Sequence, residues 1–104
     1  MDKKTYTKKE IAKEVASRLD ATMDNSAKFV DEIFTVMREM LTDERPSVRI
    51  EIRNFGVFEV KQTKAKPRAR NPRTNEEIYV PAHKKTHFKP GKLLKSYLSK
   101  PLEG

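Results

Sequence analysis

Lys64, Lys66, Arg68, Arg70 and Arg73 fall within ten positions of the stretch KAKPRARNPRTNEE (64–77), which has no large apolar side chain and no acid before Glu76. With Lys61 upstream the run carries six cations without an intervening acid. Basic clusters of this kind lie along phosphates, neutralising charge and displacing counterions. Pro72 stands among them, just before Arg73–Thr74–Asn75–Glu76, a turn-like stretch. Its ring is rigid, apolar and without an amide hydrogen, so it can enter a step between stacked bases at little desolvation cost. Proline also shapes turns, and on the residues alone both readings of Pro72 stand.

Other chemistry finds little support. His83 and His87 are four apart, a spacing that puts two strand residues on one face, but two histidines without a third ligand make a weak metal site. We expect surface histidines near a polyanion and no metal. The chain has no cysteine, which removes disulfides and thiolate cages. No nucleophile–base pairing, glycine-rich phosphate loop or carboxylate cluster is present. Asp2, Asp20, Asp24, Asp31 and Asp43 lie on or beside N-terminal helical segments, where solvated faces account for them. The expectation is a binding protein with no catalytic residues and no cofactor.

Charge is divided along the chain. Residues 1–44 hold eight Lys/Arg against ten Asp/Glu, and residues 45–104 hold fifteen against five, within an overall formal charge of +8. A slightly acidic half joined to a strongly basic one suggests separate surfaces for folding or pairing and for a polyanion. A solvated lysine-rich surface is the plain alternative, but solubility does not call for arginines clustered beside proline. At 104 residues and 36% hydrophobic, without tryptophan, the chain is one domain with a marginal core. A second copy of the chain is the most direct source of missing stability. No apolar run approaches the roughly 18 residues of a membrane span, and the start MDKKTYTKKE lacks a signal-peptide core. A soluble, cytoplasmic protein is expected.

Several elements must position the basic stretch. TKKE (7–10) has capping-box spacing with Thr7 as N-cap, and Ile11, Val15 and Leu19, with Ala12 and Ala16 beside them, form one helical stripe. A second helix starts near Thr22–Asn25, with no single cap singled out. It carries Phe29, Val30, Ile33, Phe34, Val36, Met37, Met40 and Leu41, a stripe wide enough for two packing surfaces. Its methionines read as core. Pro46 in DERP stops it. VRIEI (48–52) alternates as a strand, RNFG punctuates, and VFEV resumes strand character to Val60. A ribbon out and back over 57–82 is expected, with Asn75 at positive φ in its turn. KPGKLLKSYLSK reads as a short helix from near Gly91, ended by Pro101.

RNFGVFEV (53–60), RNPRTNEE (70–77) and FKPGKLLK (88–95) together resemble, in order and spacing, the bacterial HU and integration host factor family of DNA-bending proteins. The resemblance runs from Thr5 to Leu98. It implies an α+β fold of two N-terminal helices, an antiparallel three-stranded sheet with a long β-ribbon arm, and a short C-terminal helix, assembled as an intertwined dimer. Within this single domain, 1–44 would be the helical dimerisation part, 45–90 the sheet and arm, and 91–104 the C-terminal helix and tail. Proteins of that family embrace DNA in the minor groove and insert a proline from each arm tip, a property of the family and not an inference from these residues. The resemblance maps that proline onto Pro72, with Arg70 and Asn71 beside it. Lys89 and Lys92 match body positions that contact phosphates. The implied DNA-binding set is Arg53, Lys61, Lys64, Lys66, Arg68, Arg70, Asn71, Pro72, Arg73, Lys84, Lys85, Lys89 and Lys92.

The chain departs from the family at particular points. Ala69 precedes RNP where glycine is usual, the segment from Val60 to Pro72 is one residue longer and includes Pro67, Asn54 and Asn75 replace glycines, and His87 stands where proline is frequent. The expected function is a non-catalytic, nucleoid-associated protein that binds and bends double-stranded DNA largely without sequence specificity, as a homodimer or with a paralogous chain. The alternatives are a sequence-preferring factor like integration host factor and an RNA-binding translational regulator.

Overall fold

The computed structural model describes residues 2–102. Its elements, in chain order, are α1 (Lys8–Leu19), α2 (Met23–Leu41), β1 (Val48–Ile52), β2 (Gly56–Gln62), β3 (Lys66–Arg70), β4 (Glu77–Val80), β5 (Lys84–Pro90) and α3 (Lys92–Leu98). The chain divides into two compact units with the boundary after Glu39.

In the N-terminal unit, α1 begins where the capping-box reading places it. The Glu10 carboxylate accepts the Thr7 amide at 2.8 Å and also the Thr7 hydroxyl, closing the first turn. These hydrogen bonds, the hydroxyl's first, hold the Glu10 carboxyl below its ordinary value. Asp20 ends the helix in the left-handed region at φ 51°. The cap of α2, left open by the sequence, is Thr22, whose hydroxyl oxygen accepts the Asn25 amide at 3.1 Å. Small residues make the buried seam of this unit: Ala12 and Ala16 on α1, and Ser26 and Val30 on α2. The larger members of both stripes, Ile11, Leu19, Phe29 (70% exposed) and Ile33 (55%), remain on the surface of the single chain. A Lys8–Asp31 ion pair at 2.9 Å links the helices.

In the second unit α2 ends at Leu41, five residues before Pro46, and the Asp43 carboxylate turns the chain by accepting the Arg45 amide at 2.9 Å. A three-stranded antiparallel sheet follows in the order β1–β2–β5, and β3 and β4 form a separate antiparallel pair. The hairpin from β1 to β2 turns through Arg53, Asn54 and Phe55, with Asn54 at φ 65° supplying the conformation glycine would otherwise provide. Strand alternation sends Val48, Ile50, Ile52, Phe58, Val60 and Phe88 to one face. Phe58 and Phe88 pair directly across strands with ring centroids 4.7 Å apart, and Phe55 closes the cluster at 5.2 Å from Phe88. Among these only Val60 is buried; the rings stay partly open in the single chain.

The third strand of the sheet corrects the sequence reading. A ribbon out and back over 57–82 was expected and no strand was singled out after Ala82, but β2 runs on only to Gln62, β4 ends at Val80, and the sheet is completed by β5 at Lys84–Pro90. That strand is hard to see in the sequence because its one large apolar residue, Phe88, sits among lysines.

Candidate nucleic-acid interface

The opposite face of the sheet is polar. Alternation places Arg49 and Glu51 of β1, Glu59 and Lys61 of β2, and Lys85, His87 and Lys89 of β5 together on it. Glu59 is at the centre, with Arg49 opposite it on one neighbouring strand and His87 opposite on the other. Its side chain is 9% exposed and binds Lys89 Nζ at 3.0 Å and Lys61 Nζ at 3.3 Å. The hydrogen bond from Lys89, then that from Lys61, keeps the Glu59 carboxyl below its ordinary value against the opposing effect of burial. Arg49 pairs with Glu51 at 3.3 Å. The result is a basic surface organised around a buried anion.

The arm leaves the sheet through a pinch. Thr63 donates its amide to the His83 carbonyl at 2.7 Å, and the Thr63 hydroxyl meets the His83 amide and ring Nδ1, each at 3.2 Å. The same ring nitrogen lies 3.0 Å from the Pro81 carbonyl oxygen. His83 therefore sits at the break between β4 and β5, just before the strand that carries His87. Among the described residues no group of three or more potential ligands comes together.

Beyond the pinch, Lys66 pairs with Val80, Ala69 with Ile78 and Arg70 with Glu77. Three steps on β3 match two on β4, so Pro67 and Arg68 bulge opposite Tyr79. Proline has no amide to give to a ladder and is tolerated at such a bulge. One more residue of β3 than of β4 is taken up there, and register is regular again at Ala69 before the tip.

At the tip the chain reverses through hydrogen bonds that bracket Pro72. The Asn71 amide reaches the Glu76 carbonyl at 2.9 Å, the Asn75 amide the Asn71 carbonyl at 2.7 Å, and the Asn71 side chain accepts the Arg73 amide at 2.9 Å. Asn75 takes φ 59°, the positive value expected of it, and its side-chain oxygen accepts Arg70 Nη1 at 3.0 Å. Pro72 is exposed at the apex of this turn. Its neighbours Asn71, Arg73, Asn75 and Glu76 make the hydrogen bonds of the turn, and the proline is left open to solvent.

The expected contact residues therefore fall into separate groups. Lys66, Arg68 and Arg70 are on β3, Asn71, Pro72 and Arg73 at the tip, and Lys64 in the link below the arm. Lys61 belongs to the sheet, where Glu59 holds it, and joins Lys85 and Lys89 on the polar face. Arg53 lies in the β1–β2 turn and Lys92 opens α3. Lys84 points its ammonium at the Asp43 and Arg45 carbonyls, at 2.9 and 3.0 Å, and ties β5 to the loop after α2.

The family described as Bacterial DNA-binding protein matches residues 6–99, nearly the whole chain. The chain belongs to this family, which includes HU and integration host factor. It is 38% identical over 88 residues to DNA-binding protein HU 1 of Bacillus subtilis, covering 85% of this chain and 91% of that protein. Integration host factor subunit alpha of Stenotrophomonas maltophilia is 34% identical over 89 residues, covering 86% of each. The fold is similar to that of Anabaena HU in its cocrystal with DNA, with a TM-score of 0.77 at 26% identity, covering 92% of this chain and all of that one.

Within this family frame, the sequence reading did not single out Glu59 as the centre of the polar face, and it expected His87 only as a surface histidine near a polyanion. Arg49 and Glu51 were visible as the outward residues of an alternating strand. That β5 brings His87 and Lys89 beside Glu59 depends on pairing between residues almost thirty apart, for which no local signal exists.

Proposed function

We propose that the protein is a non-catalytic architectural factor that binds duplex DNA in the minor groove, bends it, and compacts the bacterial chromosome in the nucleoid. The observation that carries this reading is Pro72 exposed at the apex of a basic two-stranded arm, in register despite the bulge below it. An isolated two-stranded ribbon is marginal in water, and this one buries almost nothing of its own. Its cations have phosphates as their natural partner, and family membership supports the same partner.

The working unit in this reading is a dimer, with a homodimer the simplest form. Phe29, Ile33 and Met40 on α2, and Phe55 at the edge of the aromatic cluster, are exposed large apolar side chains. A chain this small gains stability by covering such faces with a second copy. Two copies supply two arms, one for each side of a bent duplex.

The test is competition among unselected linear duplex, nicked duplex and structured RNA at a series of salt concentrations. Nicked DNA should compete best, because a nick lowers the cost of a kink. The affinity should fall with log salt at a slope of about −0.9 per phosphate neutralised. Preferential binding of structured RNA would replace this reading with an RNA-binding one, and enrichment of a defined site from a pool of random-sequence duplexes would make the protein a sequence-preferring bender.

A further inference from the structure

His87 occupies the middle of an exposed row on β5, flanked by Lys85 and Lys89 on the same face. Residues two apart on a strand are spaced by about 6.6 to 6.8 Å, so the row is a short ladder of evenly placed donors. The lysines are permanent cations, whereas imidazole is neutral or positive according to pH and donates from both nitrogens only when charged.

The cross-strand neighbours of His87 are charged. On β2, Glu59 is directly across from His87 and Lys61 lies diagonally beyond. On β1, Arg49 is opposite Glu59 and Glu51 shares its face. The helix packed on β5, α3, contributes Lys92 and Lys95. Both oxygens of Glu59 are already occupied by Lys61 and Lys89, and its carboxyl, held low by those lysines, stays ionised throughout the range in which imidazoles titrate. A polyanion laid along the row adds negative charge beside the ring, and such charge favours imidazolium.

We infer that His87 is a phosphate-contacting residue that takes up a proton as the sheet binds duplex DNA, making affinity rise as pH falls through the imidazole range. This rests on the DNA-binding reading above and adds a titratable contact to it. Binding of a polyanion and binding of a proton are then linked, each strengthening the other. His83, whose ring nitrogen is already engaged by Thr63 and Pro81 at the base of the arm, is the natural control.

The experiment measures affinity for an unselected linear duplex between about pH 5.5 and 8 at constant ionic strength, for the parent, His87→Gln, His87→Lys and His83→Gln. The parent should tighten by roughly tenfold on acidification if two sites each gain one modest ion pair. His87→Gln should lose most of that dependence, His83→Gln should keep it, and His87→Lys should bind at the alkaline end as tightly as the parent does at the acid end. Calorimetry of the parent in buffers of different ionisation enthalpy gives a readout independent of any variant, and should show proton uptake on binding near neutral pH. Equal pH dependence in parent and His87→Gln, or no proton uptake by the parent, overturns the inference and leaves the DNA reading in place. A parent that binds no duplex at any pH overturns the DNA reading itself.

Discussion

Lys89 brings its ammonium within 3.0 Å of one Glu59 oxygen while Lys61 reaches the other at 3.3 Å, so a single acid ties β5 to β2 beneath the polar face. The Glu59 carboxyl is depressed from about 4.5, by Lys89 first and Lys61 second. A group whose folded value is lowered adds stability above its unfolded value and loses it as pH falls through the folded one. Glu59→Gln should therefore melt below the parent at neutral pH, with the difference closing below about pH 4. Melting temperatures of both proteins across the acid range check this. A gap that does not change with pH would mean that the charge on Glu59 contributes nothing.

Gly56 pairs with Pro90 at the end of the β2–β5 ladder, and a Cβ placed on it would lie 2.5 Å from the Lys89 carbonyl oxygen and 2.6 Å from the Phe88 ring. Backbone cannot give way there as a flexible side chain can. Gly56→Ala should cost about 1 to 3 kcal/mol of unfolding free energy, the usual range for overpacking. Urea denaturation measures it, and an unchanged midpoint would show that this end of the β2–β5 ladder relaxes freely.

Phe29 and Ile33 on α2 are more than half exposed in the single chain. If a second copy covers them, the unfolding midpoint should rise with protein concentration, because dissociation and unfolding are coupled. Ile33→Asp should weaken assembly and lower the midpoint together. Sedimentation of the parent as a monomer, with a midpoint independent of concentration, would remove the dimer from the proposed function.

Pro72→Ala separates the wedge from the charge. The arm cations remain, so affinity for straight duplex should be largely kept. A wedge offsets unstacking worth a few kcal/mol per base step, and smooth bending of a 20–30 base-pair site costs about 1 to 6 kcal/mol, so losing it should abolish most bending. End-to-end energy transfer on a labelled duplex gives the bend. Arg70→Ala should do the reverse, weakening binding broadly while residual complexes stay bent. It also removes the Arg70–Asn75 hydrogen bond, so tip order should be checked by amide exchange. Full bending by Pro72→Ala would make Pro72 a turn residue only.

Much of this protein is local and was readable from the chain. The Thr7–Glu10 cap, the alternation of Val48–Ile52, the positive φ of Asn75 and the helix after Gly91 are each set by a few consecutive residues and recur as expected in the structure. Family motifs added the arm and its Pro72 tip. Long-range pairing was different. Nothing within Lys84–Pro90 announces the third strand, because its stability comes from β2, more than twenty residues away. Only tertiary pairing put a bulge at Pro67 and Arg68 opposite Tyr79, moved Lys61 from arm to sheet, and gathered Arg49, Glu59, His87 and Lys89 on one face. It also selected Ala12 and Ala16 as the buried residues of α1, leaving Ile11 and Leu19 on the surface. Helical and strand periods report which side chains share a face; what that face meets is decided by parts of the chain that the period cannot see.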